Sequence, residues 1–221
     1  MELSAKSWRI ELGALLLIRR DYADRFVECV LENSVQKFAA EYGRYLTPGG
    51  YDFCWMFKDA ARALTVGGKS WEECAKPIVN SDRATEKEHN LNALVALNAW
   101  LEKEAITEVF QPPSANLASP GGYVTVKLEP TFGCARQGHR FIIHTWNSQT
   151  LTLSRKVAGC RIHLIQQHLC AGDFADCIPA ILDVRKRELF SARAVPPLTA
   201  ALVSSELAWA DSFFKTFSKA A

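Results

Sequence analysis

The hydrophobic pattern changes its period along the chain. Apolar residues recur at helical spacing before about residue 110, whereas after about residue 122 they alternate or form the short apolar runs typical of strands. We therefore predict an α+β protein, in which a helical N-terminal half packs against a small, mainly antiparallel sheet with one crossing helix and a C-terminal helix. The segment 111–121, rich in proline, serine and glycine, is predicted to be a linker between a helical subdomain, 1–110, and a basic α+β subdomain, 122–221.

The helical half is predicted to contain at least four helices. Ser70 and Glu73 match a capping box, in which each side chain satisfies a backbone amide at the start of a helix, and Thr85 with Glu88 matches the same pattern. The predicted helices span 21–44, 51–66, 70–79 and 85–109.

Strands dominate the second half until a last helix. In residues 123–129, valine and leucine alternate with other residues, which indicates a strand buried on one face. Arg185-Lys186-Arg187 is predicted to turn the chain into a short return strand, 188–190. The other predicted elements are a turn at 133–138, strands at 140–146 and 177–184, a crossing helix from Thr152 or Ser154 to about 169, and a C-terminal helix after Pro197.

Composition narrows the class of protein. Hydrophobic residues make up 48% of the 221 residues and charged residues 23%, which is ordinary for a globular protein. The longest apolar run, 12–18, is far shorter than the roughly 20 residues of a transmembrane helix. We therefore expect no membrane span and a cytoplasmic location. The seven cysteines are odd in number and scattered among apolar residues, so we expect free thiols and no disulfides.

Positive charge is concentrated in the second half. Residues 121–195 carry ten Lys or Arg against five Asp or Glu, whereas residues 1–120 carry fourteen against seventeen. Many of these basic residues fall at strand ends, turns and a helix start, so they could converge on one rim of the sheet and bind nucleic acid or an acidic protein surface. Alternatively, they form a solvated surface, dock internally against the acidic half, or bind small-molecule ligands. The candidate polyanion-binding residues are Arg136, Arg140, Arg155, Lys156, Arg185, Lys186 and Arg187.

The order of strands, a crossing helix and a further strand in residues 122–191 is similar to the core of PD-(D/E)xK nucleases. The resemblance covers about seventy residues. It implies two carboxylates that hold Mg²⁺ and a lysine that stabilises charge, and Glu129 and Asp183 are the candidate carboxylates. The candidate second strand, 143–146, contains neither an acidic residue nor a lysine. The resemblance therefore implies a degenerate core whose site is lost or relocated.

A metal site is a weaker hypothesis. Cys160, His163 and Cys170 are spaced so that they share one face of the crossing helix, and these residue types bind zinc. No CxxC or HExxH pattern accompanies them, and an amphipathic helix with buried cysteines and exposed histidines explains the same residues. Glycine-rich nucleotide-binding motifs and the GxSxG motif of serine hydrolases are also absent from the sequence.

These observations support three functional hypotheses. The first is a non-enzymatic binding or regulatory protein whose basic second half contacts nucleic acid or an acidic protein surface. The second is a Mg²⁺-dependent, nuclease-like enzyme. The third is a subunit of a larger assembly, because the chain has more large aromatic residues than one core readily accounts for. These residues are Trp55, Trp71, Trp100, Trp146 and Trp209.

Overall fold

The computed structural model describes residues 8–10, 53–148, 153–192 and 199–220. These residues form two compact units. One unit holds the described residues of 52–114 and 129–199, and the other holds those of 1–51, 115–128 and 200–221. The predicted helix at 21–44 lies outside the described residues.

The described elements are those of an α+β protein. The strands are β1 (Trp8–Ile10), β2 (Ile106–Phe110), β3 (Ala115–Ala118), β4 (Val124–Leu128), β5 (Phe132–Arg136), β6 (His139–Trp146), β7 (Ile178–Asp183) and β8 (Glu188–Ser191). The helices are α1 (Trp55–Thr65), α2 (Trp71–Val79), α3 (Ala84–Lys103), α4 (Arg155–His168) and α5 (Thr199–Ala220), with a short 3-10 turn at Gly172–Phe174. The predicted fold class is confirmed.

The larger unit is built on a five-stranded mixed sheet. Its strand order is β2-β5-β6-β7-β8. Three neighbouring pairs are antiparallel, and β6 with β7 is parallel. Because parallel neighbours need a crossover connection, the chain passes through α4 between these two strands. The mainly antiparallel sheet with one crossing helix is therefore as predicted.

Helices α1, α2 and α3 cover one face of this sheet. Their buried side chains, among them Phe57, Ile78 and Leu97, form one core with Phe132 and Ile143 of the sheet. Each of these five residues is essentially inaccessible to solvent. Burial of such a side chain stabilises the fold by about 1.5–3 kcal/mol, so this core is the main link between the helical layer and the sheet.

Helix α4 packs against β7 and β8 from the opposite face. The sheet presents Ile142 and Ile181 there, which are fully buried and do not belong to the core under α1–α3. The helix begins after Ser154, whose hydroxyl accepts a hydrogen bond from the Val157 amide at 3.3 Å. This N-cap and the helix end at His168 agree with the sequence prediction.

The smaller unit combines a three-stranded sheet, β1-β4-β3, with α5. β1 runs parallel to β4, and β3 runs antiparallel to it. Asp211 of α5 fixes the turn between β3 and β4, because its carboxylate accepts hydrogen bonds from the Ser119 hydroxyl and from the amides of Gly121 and Tyr123. The predicted C-terminal helix is confirmed. The segment 111–121, predicted to be a linker, contains β3.

The sequence pattern did not predict β2. The helix predicted over 85–109 ends at Lys103, and the next residues form a strand. Glu104 already has extended backbone angles, and β-branched or aromatic residues such as Ile106 and Phe110 favour a strand beyond it. The second predicted capping box is also wrong: α3 begins after Arg83, and no side chain caps it. The box at Ser70 and Glu73 is confirmed, with both reciprocal hydrogen bonds formed.

Strand β5 was likewise predicted as a turn. Only Gln137 and Gly138 turn, and both have positive φ, as a tight two-residue hairpin requires. Gly133 lies inside the strand because the ring of Phe110 occupies the space of its missing side chain. A Cβ at residue 133 would lie 2.1 Å from Cε2 of that ring. The glycine and alanine of β5 do not resemble a strand in sequence, although Gly133 is small because it accommodates a neighbouring aromatic ring.

No helix among the described residues has the length and apolar character needed to cross a membrane. The six described cysteines are all free thiols, as predicted.

Candidate polyanion-binding edge

Two stretches of positive charge meet at one edge of the five-stranded sheet. β6 and β7 run parallel and end together, with Trp146 opposite Asp183. The crossing helix leaves this edge with Arg155 and Lys156 in its first turn, and β7 returns to it just before the turn Arg185-Lys186-Arg187. We call these five residues the basic edge. Residues about thirty apart in sequence therefore share one edge because the strands are parallel.

All five residues of the basic edge are exposed to solvent. None of them forms an ion pair with another residue of the described ranges. The first turn of α4 contains no acidic residue that would offset the positive end of the helix dipole. Arg155 and Lys156 instead add charge to it, which is unfavourable unless an anion is nearby.

A buried aspartate supports the turn that carries three of these charges. The buried carboxylate of Asp183 accepts a hydrogen bond from the Lys186 amide at 3.1 Å. Arg187 has a φ of 55°, in the left-handed region that favours glycine or asparagine. The acidic residues flanking the turn are this buried Asp183 and the exposed Glu188, so positive charge predominates on its surface.

Arg136 and Arg140 do not belong to this edge. They flank the β5–β6 turn, at the opposite edge of the sheet, which we call the hairpin edge. Arg136 forms an ion pair with Glu104, and its guanidinium carbon lies 6.0 Å from the centre of the Trp100 ring. The seven candidate residues therefore do not all converge on one rim, because the hairpin places these two at the other end of the strands.

Arg140 is also engaged within the protein. Its Nη1 donates to Asp176 Oδ1 at 2.8 Å and to the Asp173 carbonyl at 3.0 Å. Its guanidinium carbon lies 4.8 Å from the ring centre of Phe110 and 5.9 Å from that of Phe174. These contacts join β6 to the segment before β7, so Arg140 has a structural role.

A polar cluster connects the helical layer to the basic edge. Cys54, the N-cap residue of α1, places its sulfur 3.5 Å from His89 Nε2 and 3.9 Å from the Asn147 carbonyl oxygen. Asn147 directly follows β6, and its side-chain oxygen is buried without a hydrogen-bond partner in the described part of the chain. Burial lowers the pKa of His89, the Asn147 backbone bond raises it, and Arg185 lowers it, with a net lowering. The Val184 amide donates a hydrogen bond to the carbonyl of Trp146, the residue before Asn147, so the cluster is connected to the strand end that precedes the turn.

The candidate nuclease carboxylates are both engaged. Glu129 forms an ion pair with Arg62 at 3.3 Å, while Asp183 supports the 185–187 turn. Glu129 precedes β5, whereas Asp183 ends β7, and β6 lies between these two strands in the sheet. Within the described ranges, no three His, Cys, Asp or Glu residues are grouped so that they could hold a metal ion. These residues do not fit a Mg²⁺ site, and the nuclease hypothesis remains an untested prediction.

The suggested zinc ligands are not assembled either. Cys160 is buried within α4, whereas His163 and Cys170 are partly exposed. All three lie in the described ranges, where no metal-binding group is found. Burial raises the pKa of Cys170 to about 11, with a smaller contribution from Cys177, so its thiol stays protonated at neutral pH. The interpretation as an amphipathic helix with buried cysteines fits this arrangement.

Sequence reasoning counted Trp55 among the tryptophans of a core or of an assembly interface, and not among the candidate binding residues. The residue is 48% exposed and directly follows Cys54. Its position among Phe53, Met56 and Phe57 suggested a core aromatic, and both neighbours on the helical side are indeed buried. The exposure of Trp55 could have been inferred from its place at the start of α1, because the first residue of a helix often faces away from the core.

Comparison with known protein families, curated proteins and solved structures finds no match to this chain. The functional argument therefore depends on the residues and their geometry.

Proposed function

We propose that this protein binds the phosphate backbone of a nucleic acid through its basic edge. The observation that carries the proposal is the convergence of five exposed, unpaired cationic side chains on one edge of the described sheet. The start of α4 adds backbone amides and the positive end of a helix dipole to this edge. Backbone amides together with arginine and lysine are the groups that proteins use to contact phosphates.

Surface composition favours a nucleic acid over an acidic protein as the partner. Protein interfaces usually contain apolar and aromatic anchors, whereas protein–nucleic acid interfaces are more polar and much more positive. Among the described residues, only four large apolar side chains are exposed: Trp55, Val79, Val95 and Val109. Three of these are valines, which belong to α2, α3 and β2, and only Trp55 is aromatic.

Salt-dependent binding tests this proposal. The variant R185A/K186A/R187A removes three exposed charges from the basic edge. The control K69A/K76A/K103A removes three exposed lysines from the layer of α1–α3. Fluorescence anisotropy with labelled oligonucleotides, measured across a range of salt concentrations, gives both the affinity and its dependence on salt.

We expect the edge variant to bind single strands about 100-fold more weakly near 0.1 M salt, with a log–log salt slope shallower by about 2. The lysine control should keep the wild-type slope. Equal losses in the two variants would mean that only net charge matters, and the edge would not be a site. Tighter binding of polyglutamate than of the oligonucleotide would point to an acidic protein partner instead and overturn the proposal.

A further inference from the structure

An exposed tryptophan adjoins the basic edge. Trp55 is the only aromatic residue among the exposed large apolar residues of the described chain. It is the first residue of α1 and takes no part in the core of buried and partly buried residues under the helical layer. A tryptophan exposed to this extent keeps a large apolar surface in water, which gives no stability to the fold.

Contacts of the residue before Trp55 connect the start of α1 to the 185–187 turn. Cys54 precedes it and contacts the Asn147 carbonyl at 3.9 Å. Asn147 is next to Trp146, whose carbonyl accepts a hydrogen bond from the Val184 amide at 3.1 Å. Arg185 directly follows Val184, so Asn147 and Val184 connect the start of α1 to the turn.

The two layers around the sheet therefore contribute different groups to one edge. α4 and the turn supply the cations, and the start of α1 supplies an aromatic residue. Proteins that bind single-stranded nucleic acids combine such a positive track for the backbone with aromatic side chains on which bases stack. In a duplex the bases are already stacked on each other, so only an unpaired base can use the indole.

We infer that the protein prefers single-stranded nucleic acid, with phosphates along the basic edge and one base stacked on Trp55. This inference rests on the proposed phosphate-binding function and specifies its substrate class. The indole supplies an affinity that does not depend on salt, whereas the basic edge supplies the part that does.

The test separates the base from the phosphate. Wild type and W55A are measured against three probes of equal length: a single-stranded oligonucleotide, a duplex, and an abasic strand that retains the phosphates without bases. We expect W55A to bind the single strand about tenfold more weakly and with an unchanged salt slope. Its affinity for the duplex and for the abasic strand should stay within about twofold of wild type.

Two further variants guard against structural effects. W55L keeps an apolar side chain without an aromatic ring and should behave like W55A, whereas W55F should retain part of the affinity. V95A shortens a side chain of similar exposure, 47%, on α3 and should bind like wild type. Melting temperatures of all variants show whether the fold persists.

The outcomes distinguish the two proposals. Loss of affinity for all three probes in W55A, or no loss for any, overturns the stacking role while phosphate binding stands. A change in oligomeric mass in W55A with unchanged binding assigns the indole to a protein interface and also overturns it. If no probe binds wild type at any salt concentration, both proposals fail together.

Discussion

Both edges of the five-stranded sheet carry cationic side chains, but these are paired at one edge and exposed at the other. At the hairpin edge, Arg136 and Arg140 are paired with carboxylates and lie near aromatic rings. At the basic edge, the cations have no such partner in the described chain and extend into solvent. The difference teaches that cationic residues of one segment can either be neutralised by ion pairs within the fold or be left exposed at the surface, and local sequence does not tell the two apart.

Neighbouring acidic residues account for this difference. Glu104 at the end of α3 and Asp176 before β7 lie within reach of the hairpin edge and neutralise it. At the other edge, Asp183 is buried beneath the turn and bonds to its backbone rather than to a cationic side chain. Substitutions at the two edges should therefore have different consequences, the first for stability and the second for binding.

The largest expected effect is that of R136A on stability. Its side chain and that of Glu104 are only 19% and 16% exposed, so removing the arginine leaves a poorly solvated carboxylate. We expect the free energy of unfolding to fall by about 3 kcal/mol, with nucleic-acid affinity unchanged. Urea denaturation measures the loss. Adding E104Q should recover part of it, and no recovery would show that the ion pair is not its source.

R140A should have a smaller effect of the same kind. Asp176 is 61% exposed, so this ion pair contributes little, but the bond to the Asp173 carbonyl and the two aromatic contacts add to it. We expect a loss of about 1.5 kcal/mol in urea denaturation. If R140A weakened oligonucleotide binding as much as the basic-edge variant does, the division between the edges would be wrong.

R187G should change stability and binding in opposite directions. Glycine adopts the left-handed backbone of residue 187 without steric cost, so we expect a gain of up to about 1 kcal/mol in stability. Loss of one phosphate contact should weaken oligonucleotide binding about fivefold near 0.1 M salt. Thermal melting and anisotropy measure the two effects on the same preparation. A variant that binds as well as wild type would exclude the Arg187 side chain from the site.

The smallest effect concerns the titration of His89. Its pKa is lowered in the folded protein, so the unfolded chain binds more protons and stability falls as the pH decreases through the ordinary histidine pKa of about 6.5. R185A removes one cause of the lowering and should raise the pKa of His89, whereas R136A should leave it unchanged. NMR titration of the imidazole measures this. An unchanged pKa in R185A would separate the turn from the polar cluster.

The sequence predicted the elements whose residues repeat regularly. The alternation in β4, the apolar run in β7 and the caps at Ser70 and Ser154 all lead to the observed structure. β5 could not be predicted in this way, because Gly133 is favoured by the ring of a residue on another strand rather than by its own neighbours. The residues next to Gly133 in sequence do not reveal that an aromatic ring from another strand packs against it.

The candidate site was predicted only in part for the same reason. Arg155, Lys156 and the residues of the 185–187 turn are exposed, and their role in binding is a proposal. Arg136 and Arg140 have the same local signature, and only the positions of Glu104 and Asp176 in space distinguish them.

The contact between Phe110 and Gly133 helps to hold an outer strand of the larger sheet in place. β2 forms an outer strand of the larger sheet, and outer strands expose unpaired backbone groups that can recruit other chains. The ring fixes β2 in one register against β5, and an irregularity between Ile106 and Glu108 interrupts its pairing. A side chain at residue 133 would displace the ring and free this strand. Aggregation in concentrated solution, before any loss of helix content, would then be the first sign of damage.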